Sequence, residues 1–228
     1  MNLKPIRFDI LRFKPRVIDP PRIREYGLRV SEEMTVMECL ERIRIEQDPT
    51  LMYRHACHHA SCGTCACLIN GKERLACHTR VWELGSDIVT LAPLRGLKCS
   101  GDLVVEMQPF FENIDRRWGY LRPSDRDTAG SGMQRFENCI ECGCCVSACP
   151  VARRNDRFLG PAALAALHRE LLKNSTREQK LLELAGGARG VHLCDRVLAC
   201  SRVCPGAVYP AGHIADLRGK LKDAGPTK

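Results

Sequence analysis

The sequence predicts an α+β chain in two parts, a strand-rich first third around one helix and a helical last third. Three patterns carry this expectation: apolar residues alternate with polar ones near the start, a capping box opens one helix, and leucines recur at helical spacing beyond residue 160. Ile6, Phe8 and Ile10 alternate with polar neighbours, as do Tyr26, Leu28 and Val30, and Asp19-Pro20-Pro21 between the runs reads as the turn of an opening hairpin. Thr35 with Glu38 three residues on makes a capping box, Val36, Leu40 and Ile43 form one stripe, and Asp48-Pro49 ends the helix. Ile88 to Leu91 and Leu103 to Met107 are expected to complete a small mixed sheet.

Residues 111–133 are charged and punctuated by Pro123, Ser124, Gly130, Ser131 and Gly132, and are expected to link a first domain, 1–110, to a second, 134–228. In the second, Gly160-Pro161 opens a helix carrying Leu164, Leu167 and Leu171, Thr176 with Gln179 is expected to cap another, and Ile214, Leu217 and Leu221 mark a last one.

Composition narrows the function. An apolar share of 44% in 228 residues is enough for two cores and excludes a disordered tail. The net charge of +8 suits an acidic partner or an anionic membrane surface without choosing between them, and no nucleic-acid partner is expected. The opening MNLKPIRFDI has no apolar run behind its basic residues, and the apolar stretch Pro161 to Leu167 is far too short to span a bilayer, so a soluble or peripheral protein is expected. Gly186-Gly187-Ala188-Arg189-Gly190 lacks the G-x-G-x-x-G spacing and follows a helix, so it reads as a loop. No acid–base pair stands out. The chain reads as a wire with no catalytic residue of its own.

The fifteen cysteines are odd in number and clustered in three places, which points to metal or cluster ligation and away from a disulfide framework. Cys57, Cys62, Cys65 and Cys77 have the plant-type spacing of a [2Fe-2S] site. Asn70-Gly71 is a type I′ hairpin signal between Ala66-Cys67-Leu68-Ile69 and Lys72-Glu73-Arg74-Leu75, so the two strands return Cys77 to the neighbourhood of Cys65. Structural zinc is the alternative, but it usually comes with two separable C-x2-4-C pairs and only one is present. His58 and His59 suggest a Rieske site, which four cysteines leave no room for; exposed loop histidines are the simpler reading.

The run Cys139, Cys142, Cys145, Cys149-Pro150 is the bacterial-ferredoxin motif, whose fourth cysteine normally serves the other cluster of a pair. Cys194, Cys200, Cys204-Pro205 repeats it with Val197 in place of the middle cysteine. Exchanging the fourth ligands groups Cys139, Cys142, Cys145 and Cys204 on a [4Fe-4S] cluster and leaves Cys149, Cys194 and Cys200 for a cluster short of one iron, [3Fe-4S], because valine cannot ligate. Cys39, Cys67, Cys99 and Cys144 remain as small buried apolar residues, with Cys144 able to exchange places with Cys145 if the register slips.

This order of motifs resembles the iron–sulfur subunit of succinate dehydrogenase and fumarate reductase. The likeness extends to Leu75-Ala76-Cys77, Asp102-Leu103-Val104-Val105, Cys139-Ile140-Glu141-Cys142-Gly143-Cys144-Cys145 and Phe158-Leu159-Gly160-Pro161-Ala162. The resemblance implies an N-terminal β-grasp plant-type ferredoxin domain and a C-terminal all-α bacterial ferredoxin-like domain. It implies single-electron transfer between an FAD flavoprotein, where succinate or fumarate reacts, and quinone at a membrane anchor with haem, the subunit lying on the cytoplasmic face of the inner membrane.

Three departures stand out. His58-His59-Ala60 replaces the family's Arg-Glu-Gly, no Trp follows Cys149 closely, and Asp195 follows Cys194 where many quinone-linked members have His. Pro150, Arg153, Arg154 and Val197 are therefore the candidate quinone-proximal residues, with a solvated charge pair the plainer reading of the arginines. The alternatives are a related complex with a thiol, disulfide or other non-quinone carrier, or, in another class, a cluster-based redox sensor or zinc module.

Overall fold

The computed structural model describes residues 3–115, 118, 138–173 and 177–224. Contacts divide the chain into two units, Met1–Glu106 with Ile140–Cys144, and Met107–Cys139 with Cys145–Lys228. Most of the expected linker lies outside the described residues.

The first unit is an α+β fold. Strands β1 (Leu3–Lys14), β2 (Ile18–Ser31), β3 (Ala66–Ile69), β4 (Lys72–Leu75) and β5 (Ile88–Ala92) form one sheet in the order β2-β1-β5-β3-β4. β5 runs parallel to β1 and antiparallel to β3, so the sheet is mixed. Ile6, Phe8, Ile10, Leu28 and Val30 face inward along β1 and β2 and pack the core with Val36, Leu40 and Ile43 of helix α1 (Val36–Glu46). The capping box is formed: the Glu38 N–H donates to Thr35 Oγ1 at 3.2 Å, and the Thr35 N–H donates to Glu38 Oε2 at 2.7 Å.

Two expectations need correction. The β1–β2 turn lies at residues 15–17, with Arg16 at φ 65°, and not at Asp19-Pro20-Pro21, which falls inside β2. β2 is an edge strand and its prolines coincide with the register shift after Arg12↔Arg22, where no ladder needs their missing N–H. Leu103 to Met107 does not join the main sheet: β7 (Val104–Val105) pairs with β6 (Cys99–Gly101) in a separate two-stranded sheet.

A buried ionic network ties these parts together. Arg12 on β1 pairs with Asp48, which follows α1, and with Asp102 in the β6–β7 turn at 3.0 Å, while the Tyr26 hydroxyl donates to Asp48 at 2.7 Å. Burial works to raise the Asp48 carboxyl, but hydrogen bonds from Thr50, Tyr26 and Arg12 outweigh it and hold the group well below the ordinary carboxylate range.

The second unit is helical: α2 (Gln108–Glu112), α4 (Pro150–Arg154), α5 (Pro161–Leu171), α6 (Glu178–Gly186), α7 (Ala199–Arg202) and α8 (Pro210–Asp223), with α3 (Cys144–Ala148) beginning at its edge. Every residue of α5 is buried, its first turn set by Pro161 after Gly160 at φ 91°. Leu164, Leu167, Ile214 and Leu217 form the centre of this core. The expected cap at Thr176 lies outside the described residues; Arg177 occupies the N-cap of α6 and makes no side-chain cap bond. Among the described residues no helix is long and apolar enough to cross a membrane.

Candidate metal centres

The first site is built by the β3–β4 hairpin. Asn70 and Gly71 take φ of 48° and 74°, the left-handed values a two-residue I′ turn requires. The register Ala66↔Leu75 then places Cys65 and the short 3-10 turn Ala76–His78 side by side, and Cys65 Sγ lies 3.4 Å from Cys77 Sγ. The preceding loop aims amides at sulfur: the His59 N–H donates to Cys57 Sγ at 3.5 Å and the Ala60 N–H to Cys77 Sγ at 3.4 Å. Gly63 sits at φ +69°, where a Cβ would come within 2.5 Å of the Ile140 carbonyl oxygen and 2.7 Å of Cys142 Cβ, so only glycine fits.

The electrostatics differ between the two ends of this loop. The Cys57 thiol is pulled down to about 5 by the His59 amide and by hydrogen bonds with Cys62 and Ser61. Burial pushes Cys65 up to about 12. Converging sulfurs with amide donors directed at them fit an anionic iron–sulfur group. The His59 ring is engaged elsewhere, by the Cys57 carbonyl oxygen and, at 2.9 Å, by Ser61 Oγ.

Arg54 also belongs to this site. It is half-buried, its buried Nε has no hydrogen-bond partner, and burial lowers its pKa against the opposing pull of Cys65, Cys67 and Cys142. A guanidinium beside these sulfurs offsets the negative charge of any cluster they hold. No motif marks it, since its neighbours become so only on folding.

In the second unit, Cys149 is the N-cap of α4, its sulfur accepting the Ala152 N–H at 3.5 Å, Cys194 follows the 3-10 turn Val191–Leu193, and Cys200 lies on α7. These three line a cavity of about 360 Å³ together with Val197, Phe158 and Ile214. Arg218 of α8 braces it, donating to the carbonyl oxygens of Val191 at 2.6 Å and Cys194 at 2.8 Å. Burial pushes Cys200 up to about 11, with the Cys149 and Cys194 thiolates adding to the shift. Three sulfurs around one largely apolar cavity suit a cluster with one unligated corner.

Cys204 lies apart from these three. Its sulfur accepts the Val208 N–H at 3.4 Å, and a Cβ on Gly206 would come within 2.3 Å of the Asn138 carbonyl oxygen, so the chain after Cys204 packs on the residue before Cys139. Cys142 belongs to the first unit, where a hydrogen bond with Cys144 pulls it down to about 7 against burial. Cys145 begins the helical unit on α3 and packs in one apolar cluster with Cys200. Of the cysteines left over, Cys39, Cys67 and Cys144 are buried and Cys99 is partly so.

Pro150 opens α4 and Val197 is half-exposed at 46%. Arg153 and Arg154 close α4 on the surface, and Arg154 forms an ion pair with Asp195, next to Cys194. Arg154 thus joins the segments carrying two of the three cavity cysteines, a role additional to the one its position in the sequence suggested.

Residues 7–112 match the family described as 2Fe-2S iron-sulfur cluster binding domain, and residues 135–208 the one described as 4Fe-4S dicluster domain. The fumarate reductase iron-sulfur subunit of Haemophilus influenzae is 31% identical over an alignment covering 98% of this chain and 94% of that protein. The chain belongs to the succinate dehydrogenase and fumarate reductase iron–sulfur subunit family. The corresponding subunit of Wolinella succinogenes is 30% identical to this iron–sulfur subunit, over 93% of this chain and 95% of its own length. In structure the subunit is similar to a chain of the Mycobacterium smegmatis Sdh1 complex in the apo form, with a TM-score of 0.86, 24% identity and 98% coverage of both chains. Its fold is accordingly an N-terminal plant-type ferredoxin domain followed by a helical ferredoxin-like one.

Proposed function

We propose that this iron–sulfur subunit relays single electrons between an FAD flavoprotein, where succinate and fumarate interconvert, and quinone at a membrane anchor. In this reading Cys57, Cys62, Cys65 and Cys77 hold a [2Fe-2S] cluster, Cys139, Cys142, Cys145 and Cys204 a [4Fe-4S] cluster, and Cys149, Cys194 and Cys200 a [3Fe-4S] cluster. The clusters, when bound, accept and release one electron at a time without changing the protein's bonds. The observation that carries the reading is the cavity lined by three cysteines with Val197 beside them. A sensor or a zinc module has no use for a graded series of unlike sites.

The chain's own residues set the conditions for transfer. Amides of the 57–65 loop donate to cluster sulfurs and, with Arg54, stabilise added negative charge at the first site. At the last site three thiolates in place of four leave less negative charge, which favours the reduced state and makes it the acceptor end. The Arg218 guanidinium, lining the same cavity, acts in the same direction. The subunit docks peripherally on the cytoplasmic side through the surface around Pro150 and Arg153, where basic side chains suit an anionic bilayer.

The test is reduction of the assembled complex by succinate, followed by addition of quinone, with the three centres monitored by EPR. All three signals are expected to change on reduction and to revert with quinone. Reversion with a dithiol-linked or soluble acceptor but not with quinone would replace the quinone reading by a non-quinone one.

A further inference from the structure

Beside the first site lies a cluster of two histidines and a carboxylate. Glu41 on α1 and His55 and His58 in the loop after it offer ligand atoms that all lie within 4.8 Å of one another. His55 Nδ1 is 3.1 Å from His58 Nε2, and His58 Nε2 is 3.7 Å from Glu41 Oε1. A tetrahedral ion with bonds of about 2.0–2.1 Å needs ligand atoms about 3.3 Å apart, and these separations bracket that value. We propose that Glu41, His55 and His58 bind a divalent transition-metal ion of the zinc class.

The chemistry of the donor set favours this class. Two imidazole nitrogens and one carboxylate oxygen suit zinc and its neighbours, whereas calcium and magnesium prefer oxygen throughout. Three protein donors leave a fourth position for water.

The site is also held in place from outside. The His55 ring packs on Tyr53 with centroids 5.4 Å apart, and the Arg44 guanidinium lies 5.7 Å from the Tyr53 centroid. Arg44 and Glu41 share one face of α1, three residues apart, so the same helix supplies a ligand and the support for another. His58 takes a left-handed φ of 60°, a strained conformation for a non-glycine residue, and its ring lies edge-on to that of His55 with centroids 5.3 Å apart. His59, the adjacent residue, is occupied by Cys57 and Ser61 and stays out of the set. The ligand His58 is the residue next to Cys57 of the first centre.

The experiment uses the full chain with its clusters assembled and measures Zn²⁺ binding by calorimetry, with iron content followed in parallel. One saturating ion per chain is expected, with iron content unchanged. His55→Ala and His58→Ala should each weaken binding by about tenfold or more, and Glu41→Gln, which keeps a neutral amide oxygen in place of the carboxylate, by a smaller factor. In a second readout, Ni²⁺ at the same site should speed the spin relaxation of the reduced first centre, and Zn²⁺ should not. Equal zinc affinity in wild type and all three variants, or iron lost in step with zinc uptake, would overturn the assignment. The calorimetric arm stands whether or not quinone is the acceptor.

Discussion

In the first unit, Cys57 to Cys77 lie within one loop and one hairpin, and the strand register places Cys65 against Cys77. In the second unit, Cys149, Cys194 and Cys200 come from three separate segments and reach a common cavity because α4, α5 and α8 pack around one apolar core, with α7 against α8. One site is local and held by a turn, the other is distant in the chain and held by packing. The two should therefore fail independently and for different reasons.

The largest effect is expected from removing a ligand. Cys77→Ser should abolish the native [2Fe-2S] EPR signal while the other two centres persist; loss of all three together would show that the two units do not fail independently. Val197→Cys should act on the distant site alone. A fourth thiolate there should admit a fourth iron and remove the oxidised-state three-iron signal, and an unchanged signal in iron-replete protein would refute the assignment of that cavity.

Asp48→Ala should destabilise the first unit by about 3–5 kcal/mol, because it leaves Arg12 buried with one of its two carboxylate partners gone. Thermal melts read by visible circular dichroism of the [2Fe-2S] site should show the loss, with the three-iron signal retained at temperatures where the first unit has melted.

A smaller, pH-dependent effect belongs to the second unit. His168 on α5 and His213 on α8 are buried, with Nδ1 atoms 2.9 Å apart. Burial lowers both, and the neighbouring His213 helps bring His168 to about 4, with Asp216 opposing and Lys220 assisting. Both rings are neutral at neutral pH. The unfolded chain takes up protons first as pH falls below about 6.5, so stability is full above that value and declines toward about 4, by roughly 3 kcal/mol for His168. Urea unfolding across this range should show the decline in wild type and a flatter profile in His168→Asn. Equal slopes would assign the acid sensitivity to other groups.

How much was legible in the sequence follows the same division between local and distant. The capping box at Thr35 and Glu38, the Asn70-Gly71 hairpin and the start of α5 at Gly160-Pro161 depend on neighbours within a few residues, and all three formed as read. The opening turn precedes Asp19 because pairing with β1 at an edge strand overrides the strong local turn signal of Pro20 and Pro21. The apolar run Leu103 to Met107 predicts a strand but not its partner, since an apolar run specifies burial and not a neighbour.

The order of residues specifies the chemistry on offer: thiolate sets at iron–sulfur spacings, a valine where a ligand would complete the third set, and a hairpin to close the first. Those features are written in covalent order, and covalent order limits which sulfurs one turn can bring together. What surrounds them depends on how the chain packs. Arg54 beside Cys65 and Cys142, Arg154 paired with Asp195, Arg218 on the Cys194 carbonyl and Glu41 against His58 each join residues from separate segments. Burial and charge at these contacts depend on distance in space, which spacing along the chain does not encode.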